Sequence, residues 1–271
     1  MEEVKLKVLG TVAPYPKDNK NCSGYLIKYK DNNILFDCGN GSTRLLNLPE
    51  DLNNLSIFIT HLHPDHVGDL VSLLQAIFVY RCHNMIKNKI HLYIPETIEE
   101  VYKVEPDEMT WISTKVGEKP AVDYEYIKKY ADVAGVTIHK IEKNTNFKDF
   151  EVISTQVPHP IEAYAFRFNS NNGDITYSGD TDVKNNLREF AKNSNLFICE
   201  STFLKENKRT NYGHLYTYEA ASIAKDANVD KLLLTHFWPE FDKEKYVIEA
   251  KEVFDNTEAA IEGKQYILRS W

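Results

Sequence analysis

The sequence predicts an α/β chain of the α+β type, a four-layer αββα sandwich in which helices cover two packed sheets. Two observations favour it: hairpin-like strand pairs are mixed with strand–helix units, and several short apolar strands end at a histidine or an acidic residue. No repeat period, low-complexity tract or linker divides the 271 residues. We therefore expect a single domain over residues 1–271.

Alternation and buried apolar runs predict the strands, and an asparagine-rich K-D-N-N turn predicts that the second and third form a hairpin. The predicted strands are Val4–Val8, Tyr25–Tyr29, Asn33–Asp37, Ile57–Thr60, His91–Ile94, Val136–Ile141, Phe150–Gln156, Ala163–Phe168, Ile175–Ser178, Leu196–Cys199 and Lys231–Thr235.

Apolar residues at helical spacing predict the covering helices. The predicted helices are Ser42–Leu48, Asp69–Tyr80, Glu96–Val101, Asp123–Tyr130, Val183–Ala191, Thr217–Asn228 and Lys243–Phe254.

The composition is ordinary for a globular protein, with 42% hydrophobic and 27% charged residues and a net charge of −8. An acidic chain disfavours a broad basic face for nucleic acid, but it allows a small anionic substrate held by metal ions. No apolar run approaches the roughly 18–20 residues of a membrane helix. The four cysteines form no C-x-x-C pair, and the first ten residues alternate like a strand rather than a signal peptide. These features predict a cytoplasmic protein with no membrane segment.

The segment T-H-L-H-P-D-H over residues 60–66 concentrates three of the 9 histidines. If Thr60 continues the strand, His61 and His63 share one face, and Pro64 turns the chain so that Asp65 and His66 point back. Imidazole and carboxylate ligands suit zinc, and also manganese or iron. The alternative is a solvated histidine-rich turn.

A metal site requires distant partners, and three other predicted strands each end near a ligand residue. The three candidate ligand residues are His159 in V-P-H-P, Asp180 in Y-S-G-D and His236 in L-L-T-H-F. Because strand ends gather at one edge of a sheet, we expect these side chains to join the histidine cluster.

These motifs together resemble the metallo-β-lactamase superfamily, and within it the ribonuclease Z branch and compact bacterial phosphodiesterases. The resemblance implies that His61, His63 and His159 hold one divalent ion, that Asp65, His66 and His236 hold a second, and that Asp180 bridges both. It also implies a homodimer and a di-metal hydrolase, zinc being favoured, that cleaves phosphodiester bonds by attack of metal-bound hydroxide. Asp65 would be both ligand and proton acceptor.

G-H-L-Y-T-Y-E-A-A and C-E-S-T-F are similar to two further stretches of that family. The resemblance implies that His214 donates a proton to the leaving group and that Glu200 orients it. The sequence itself predicts Thr217 as the N-cap of the next helix. This chain has H-L-Y where tRNA-processing members have H-S-T. Without the resemblance, Glu200 is equally a solvated strand-end carboxylate and His214 a surface histidine.

Only twenty residues separate His159 from Asp180, and they read as two strands and a turn. That leaves no room for the arm with which ribonuclease Z enzymes grip tRNA, so we expect a small nucleotide or cyclic nucleotide diester as substrate. The alternatives are tRNA 3′-processing and acyl hydrolysis of the lactonase or thioesterase type. A metal-binding module without catalysis is disfavoured, because no ligand position is lost.

Several residues remain open to more than one interpretation. The resemblance implies that Asp37 supports the site without binding metal, whereas Asp69 either orients a ligand or caps a helix. The insert between Asp69 and Val157 carries six residues that either wall the site or belong to the core: Tyr80, Arg81, Tyr93, Trp111, Tyr124 and Tyr126. We expect His83, His91 and His139 to be structural or exposed.

Overall fold

A computed structural model describes residues 2–95, 98–104, 111–120, 122–183, 186–207 and 213–268. Its strands are β1 Val4–Gly10, β2 Gly24–Tyr29, β3 Asn32–Phe36, β4 Leu55–Phe58, β5 His91–Tyr93, β6 Ile98–Val104, β7 Trp111–Pro120, β8 Thr137–His139, β9 Asn144–Asn146, β10 Phe150–Val157, β11 Ala163–Ser170, β12 Gly173–Tyr177, β13 Leu196–Glu200, β14 Leu232–Thr235, β15 Thr257–Ala259 and β16 Gln265–Leu268.

Among the described residues, the helices are fewer than the strands. They are α1 Pro64–Val67, α2 Leu70–Cys82, α3 Val122–Ala134, α4 Leu187–Phe190, α5 Thr217–Asp226 and α6 Lys243–Lys251, with 3₁₀ turns at Ser42–Leu45 and Glu50–Leu52. No helix among the described residues is long and apolar enough to span a membrane.

Two seven-stranded mixed sheets form the centre of the fold. Their orders are β16-β1-β2-β3-β4-β5-β8 and β15-β14-β13-β12-β11-β10-β9, and β6 pairs with β7 in a separate two-stranded sheet. In the first sheet the run β3-β4-β5-β8 is parallel, and in the second the run β12-β13-β14-β15 is parallel. Parallel strands end at a common edge, so each sheet delivers several loops to one place.

An aromatic-rich core fills the space between the two sheets. The Phe36 ring lies 5.4 Å from that of Phe166 in the opposite sheet, and Tyr25 lies 4.7 Å from Tyr177. Separate apolar clusters cover the outer faces, one joining the first sheet to α2 and α3 and the other joining the second sheet to α4, α5 and α6. This confirms the αββα sandwich.

Most predicted elements are present with shifted ends, but one predicted helix is wrong. The helix predicted over Glu96–Val101 is wrong, because residues 98–104 form strand β6, which pairs antiparallel with β7. The predicted strand through Thr60 ends earlier, at Phe58. The short strands β9, β15 and β16 were not predicted, since three or four residues carry too little periodicity.

The predicted pair of strands between His159 and Asp180 is confirmed. β11 and β12 form a hairpin whose register runs from Phe166 opposite Tyr177 to Ser170 opposite Gly173. Gly173 has φ of 130°, a conformation that side chains rarely adopt, so it permits the tight turn. The segment is a compact hairpin within the second sheet.

Removal of a ring from the central core should destabilise the fold strongly. Phe168 is fully buried, and its ring lies 5.7 Å from Tyr29 and 5.2 Å from Phe150. Phe168→Ala should lower the free energy of unfolding by about 3–5 kcal/mol in urea titration. Ile248→Ala, at a side chain that is 61% exposed on α6, should change it by about 0.5 kcal/mol or less. Equal losses in the two variants would contradict this packing.

Candidate metal centre

Loops from both sheets meet at one edge of the sandwich and bring the histidine cluster together. His61, His63, Asp65 and His66 follow β4, and the other candidates follow strands of the second sheet: His159 after β10, Asp180 after β12 and His236 after β14. β10 lies two antiparallel steps from β12, so its carboxyl end also reaches this edge. The predicted convergence of strand ends is therefore confirmed.

The T-H-L-H-P-D-H segment folds as an extended stretch followed by a single helical turn. His63 is extended at the N-cap of α1, and Pro64 occupies the first turn, where its missing N–H costs no hydrogen bond. Asp65 and His66 lie on that turn and are buried. His61 and His63 are not on a strand, yet His61 Nε2 lies 3.0 Å from His63 Nδ1.

A glycine permits the close packing around Asp180. Gly179 has φ of 56°, and a Cβ there would lie 2.6 Å from the carbonyl oxygen of Tyr164. The Y-S-G-D sequence therefore allows the chain to turn tightly before the aspartate. His236 and Asp37 adopt similar left-handed φ values of 61° and 58°, which are strained for residues with a side chain.

A first group of candidate ligands consists of His61, His63, His159 and Asp180, whose ligand atoms lie within 4.8 Å of one another. His159 Nε2 is 3.1 Å from His63 Nδ1, and His61 Nε2 is 3.5 Å from Asp180 Oδ2. His63 and His159 are partly exposed, whereas His61 and Asp180 are buried. This group therefore faces the opening of the site.

A second group, Asp65, His66 and His236, is fully buried. His236 Nε2 lies 3.4 Å from Asp65 Oδ2, and the Nε2 atoms of His66 and His236 lie 3.5 Å apart. Asp180 Oδ2 joins this group to the first, at 3.3 Å from His66 Nε2 and 3.1 Å from His236 Nε2. One carboxylate thus lies between two clusters of ligand atoms.

The donor set fits two divalent cations. Asp180 Oδ1 is buried and has no hydrogen-bond partner among the described residues, which is costly for a carboxylate oxygen unless a cation satisfies it. Together with Asp180, the five imidazoles and the Asp65 carboxylate provide the ligand types that zinc, manganese and iron accept.

Two ligand imidazoles are oriented by hydrogen bonds at their outer nitrogens. His66 Nδ1 lies 2.7 Å from Asp37 Oδ2, and His159 Nδ1 lies 3.0 Å from the Gly213 carbonyl oxygen. Asp37 is fully buried and also accepts a hydrogen bond from the Tyr177 hydroxyl. The expectation that Asp37 supports the site is borne out by these contacts, whereas nothing in the sequence pointed to Gly213.

Glu200 and His214 form a pair beside the two groups. His214 Nδ1 lies 3.1 Å from Glu200 Oε1, and the His214 ring stacks 5.1 Å from that of His236. His214 also lies within 4.8 Å of Asp180 and His236, but its Nδ1 is directed at Glu200. Glu200 is fully buried, so it is not a solvated strand-end carboxylate. The predicted cap is wrong: Tyr216 is the N-cap of α5, and Thr217 donates its hydroxyl to the Phe203 carbonyl.

The histidines divide electrostatically into two classes. Burial lowers the pKa of His61 and His159 well below the ordinary value and that of His63 to about 4. For the buried His66 and His236 the carboxylates outweigh burial, so that the pKa of His66 is well above 6.5 and that of His236 is raised to about 10. Asp180 is the largest of these raising influences on both.

Two other charged groups of the site are also shifted. Burial acts to raise the pKa of Asp65, but His66 and His236 hold it below 3.8. Burial likewise acts to lower the pKa of His214, and the Glu200 carboxylate outweighs it, so that this pKa lies above 6.5. In the metal-free protein Asp65 is therefore charged at neutral pH.

The remaining candidate residues lie outside this cluster. Asp69 is the N-cap residue of α2, but its side chain makes no capping hydrogen bond there; Oδ2 instead accepts from the Thr43 hydroxyl at 2.7 Å and so anchors the first 3₁₀ turn. His91 Nδ1 lies 2.9 Å from His139 Nε2, away from the site, and His83 is exposed.

The aromatic residues of the 70–157 insert divide between core and surface. Tyr93 stacks on Phe58 in the central core, and Tyr124 packs in the cluster beneath α2 and α3. Tyr80 is packed against the same cluster, and Tyr126 is 51% exposed beside Tyr130. Arg81 donates to the Asn88 carbonyl, and the side chain of Trp111 lies outside the described residues. The core interpretation therefore holds for Tyr80, Tyr93 and Tyr124.

Comparison with known proteins agrees with this geometry. The model of the β-lactamase superfamily domain matches residues 32–237. Ribonuclease Z of Clostridium acetobutylicum is 27% identical, over 96% of this chain and 97% of that protein. The crystal structure of the metallo-β-lactamase fold protein YhfI from Bacillus subtilis superposes with a TM-score of 0.79 at 23% identity, over 97% and 99% of the two chains. The short form of human tRNase Z gives a TM-score of 0.69 at 19% identity, over 97% and 98%.

The two histidine classes predict different proton release on metal binding. His66 and His236 are protonated at pH 7, so an ion that binds them must displace protons, and its affinity should rise with pH across pH 6–8. His61, His63 and His159 are already neutral, so an ion there should bind with an affinity nearly independent of pH over that range.

Calorimetric titration of metal-free protein in two buffers of different ionisation enthalpy measures this release. In His63→Ala, which keeps only the second group intact, the enthalpy should still depend on the buffer. An enthalpy of binding that is the same in both buffers would contradict the assignment of protonated His66 and His236.

Proposed function

The chain belongs to the β-lactamase superfamily, with the metallo-β-lactamase fold, and from that premise we propose that it is a di-metal hydrolase of small phosphodiesters. One observation carries the proposal: two clusters of ligand atoms share Asp180, and the buried Glu200–His214 pair lies directly beside them.

In this proposal His61, His63 and His159 hold one ion and Asp65, His66 and His236 hold the other, with Asp180 between them. An anionic bridge reduces the repulsion between two dications at the separation typical of two-metal hydrolases. When bound, such ions would lower the pKa of water in the site and stabilise negative charge on phosphate oxygens. Zinc is the ion we favour, because imidazole ligands predominate.

Asp65 would accept the proton of the attacking water in addition to binding an ion. Its carboxylate is buried on α1, and Oδ2 lies 3.4 Å from His236 Nε2. The neighbouring imidazoles keep the pKa of Asp65 low in the metal-free protein, so the group is an anion that can receive a proton during the reaction.

His214 would donate a proton to the leaving oxygen. Glu200 Oε1 fixes the Nδ1–H of His214, which leaves the Nε2–H as the proton that can be transferred. The ring is partly exposed at the opening, and it lies 5.4 Å from His159 and 5.1 Å from His236. A group in that position reaches a substrate that enters beside the ligand clusters.

The β11–β12 hairpin and the net charge of the chain bear on the class of substrate. The β11–β12 hairpin occupies the whole interval between His159 and Asp180, and the net charge is −8. These features favour a nucleotide or cyclic nucleotide diester over folded tRNA. Similarity to ribonuclease Z of Clostridium acetobutylicum favours tRNA 3′-processing as the second candidate. Acyl hydrolysis is third, because it has less need of the Glu200–His214 pair.

We also propose that the protein is a homodimer and that it is located in the cytoplasm. Sedimentation analysis of the purified protein checks the first, since a dimer and a monomer of 31.3 kDa separate clearly.

Replacement of the candidate metal ligand His63 and replacement of the candidate acid His214 should differ in their effects on metal content and turnover. His63→Ala should lose the ion of the first group, and turnover with it, because His63 lies within 3.1 Å of both His61 and His159. His214→Ala should keep its metal and lose about 10²–10⁴-fold in kcat on a nucleotide diester. Elemental analysis and steady-state rates measure both, with His83→Ala, an exposed histidine, as the control. Full turnover in His214→Ala would exclude the general-acid role.

The proton from His214 should increase the rate of hydrolysis only for substrates with poor leaving groups. Nitrophenolate departs as an anion without a proton, whereas a nucleoside alkoxide requires one. His214→Ala should therefore retain most activity on bis-p-nitrophenyl phosphate and lose it on a dinucleotide or cyclic nucleotide. Equal losses on the two substrates would indicate that His214 binds substrate rather than transfers a proton.

A further inference from the structure

The hydroxyl of Thr202 connects the Glu200 carboxylate to a candidate ligand. Thr202 Oγ1 lies 2.9 Å from Glu200 Oε2 and 2.9 Å from His236 Nδ1. The main-chain N–H of Thr202 donates to the same Glu200 oxygen at 3.3 Å. Thr202 is two residues beyond the end of β13, and His236 directly follows β14, the neighbouring strand.

The chemistry of the three groups fixes the direction of these hydrogen bonds. A carboxylate only accepts, so the single hydroxyl proton of Thr202 is donated to Glu200. The hydroxyl oxygen then accepts the Nδ1–H of His236. This leaves Nε2, 3.1 Å from Asp180 Oδ2 and 3.4 Å from Asp65 Oδ2, as the nitrogen available to an ion.

The other oxygen of Glu200 is bound to a different imidazole. Oε1 lies 3.1 Å from His214 Nδ1 and accepts from the main-chain N–H of Thr181 at 3.0 Å. A single buried carboxylate is therefore in contact with the candidate acid on one side and, through a hydroxyl, with a candidate ligand on the other.

The first sheet repeats this arrangement with different residues. Asp37 Oδ2 lies 2.7 Å from His66 Nδ1, and it accepts the hydroxyl of Thr60 at 2.9 Å. Thr60 Oγ1 in turn lies 2.9 Å from His61 Nδ1. Each half of the sandwich thus supplies one buried carboxylate that contacts one histidine directly and a second through a threonine. This recurrence indicates that the hydroxyls of Thr60 and Thr202 help to orient the histidines of the site.

We propose that Thr202 is a positioning residue that holds His236 in its ion-binding tautomer and thereby joins the His214 acid and the second ion through Glu200. The inference deepens the proposed function and depends on it. Partners at the outer nitrogen of a ligand histidine fix the ring and the tautomer, and their removal lowers metal affinity.

The test compares Thr202→Val, which keeps the shape and removes the hydroxyl, with Thr202→Ser, which restores it. Both are made in the His63→Ala background, where the second group of ligands is left intact, and Zn²⁺ affinity is measured by competition with a chromophoric chelator. Thr202→Val should bind Zn²⁺ about 10–100-fold more weakly, and Thr202→Ser within about threefold of its parent.

A second readout does not involve activity. ¹⁵N chemical shifts of the histidine side chains in the Zn²⁺-loaded proteins report which nitrogen carries the proton. The His236 signal should show a protonated Nδ1 in the His63→Ala parent and in Thr202→Ser. In Thr202→Val it should move or broaden, while His214 keeps its protonated Nδ1.

The outcomes separate this inference from the proposed function. If the His63→Ala parent binds no Zn²⁺ and the wild-type protein also binds none, the proposed function fails and the inference fails with it. If the parent binds Zn²⁺ and Thr202→Val binds it equally tightly, only the inference is overturned. Urea unfolding of Thr202→Val identifies a folding defect, in which case Thr202→Ala and the serine variant replace it in the same comparison.

Discussion

The site depends on the contact between one buried carboxylate and the imidazoles that surround it. Asp180 Oδ2 lies within 3.5 Å of His61, His66 and His236, and Oδ1 has no hydrogen-bond partner among the described residues. Buried charge of this kind is costly in isolation, so the protein must hold it with protons on His66 and His236 or with cations. The two groups of ligand atoms follow from that requirement.

The sandwich provides the rigidity that this arrangement needs. The parallel halves of the two sheets end at the same edge, so the ligands extend from strand ends rather than from long loops. Asp37 and His236 have left-handed backbone conformations, and such strain persists only where the surrounding structure fixes it. Gly179 adopts a similar φ without strain and lets the chain turn before Asp180. Buried Asp37 and Glu200 then orient the rings from behind.

The sequence predicted the architecture and the membership of the cluster better than its internal contacts. Histidine and aspartate at the ends of apolar strands predict convergence, because strand direction alone brings those ends together. The helix at Glu96–Val101 was wrong, since a short segment with mixed periodicity does not distinguish helix from strand. Thr60, Thr202 and Gly213 could not be identified, because a hydroxyl or a carbonyl acquires its role only from a neighbour distant in the chain.

The most direct test of the central claim pairs metal content with turnover. Elemental analysis of the purified protein gives ions per chain, and hydrolysis of bis-p-nitrophenyl phosphate is followed before and after chelation and again after Zn²⁺ or Mn²⁺ is restored. We predict about two ions per chain and activity that is lost with the metal and returns with it. A chain that binds no divalent ion, or that hydrolyses the diester equally well without one, would contradict the account.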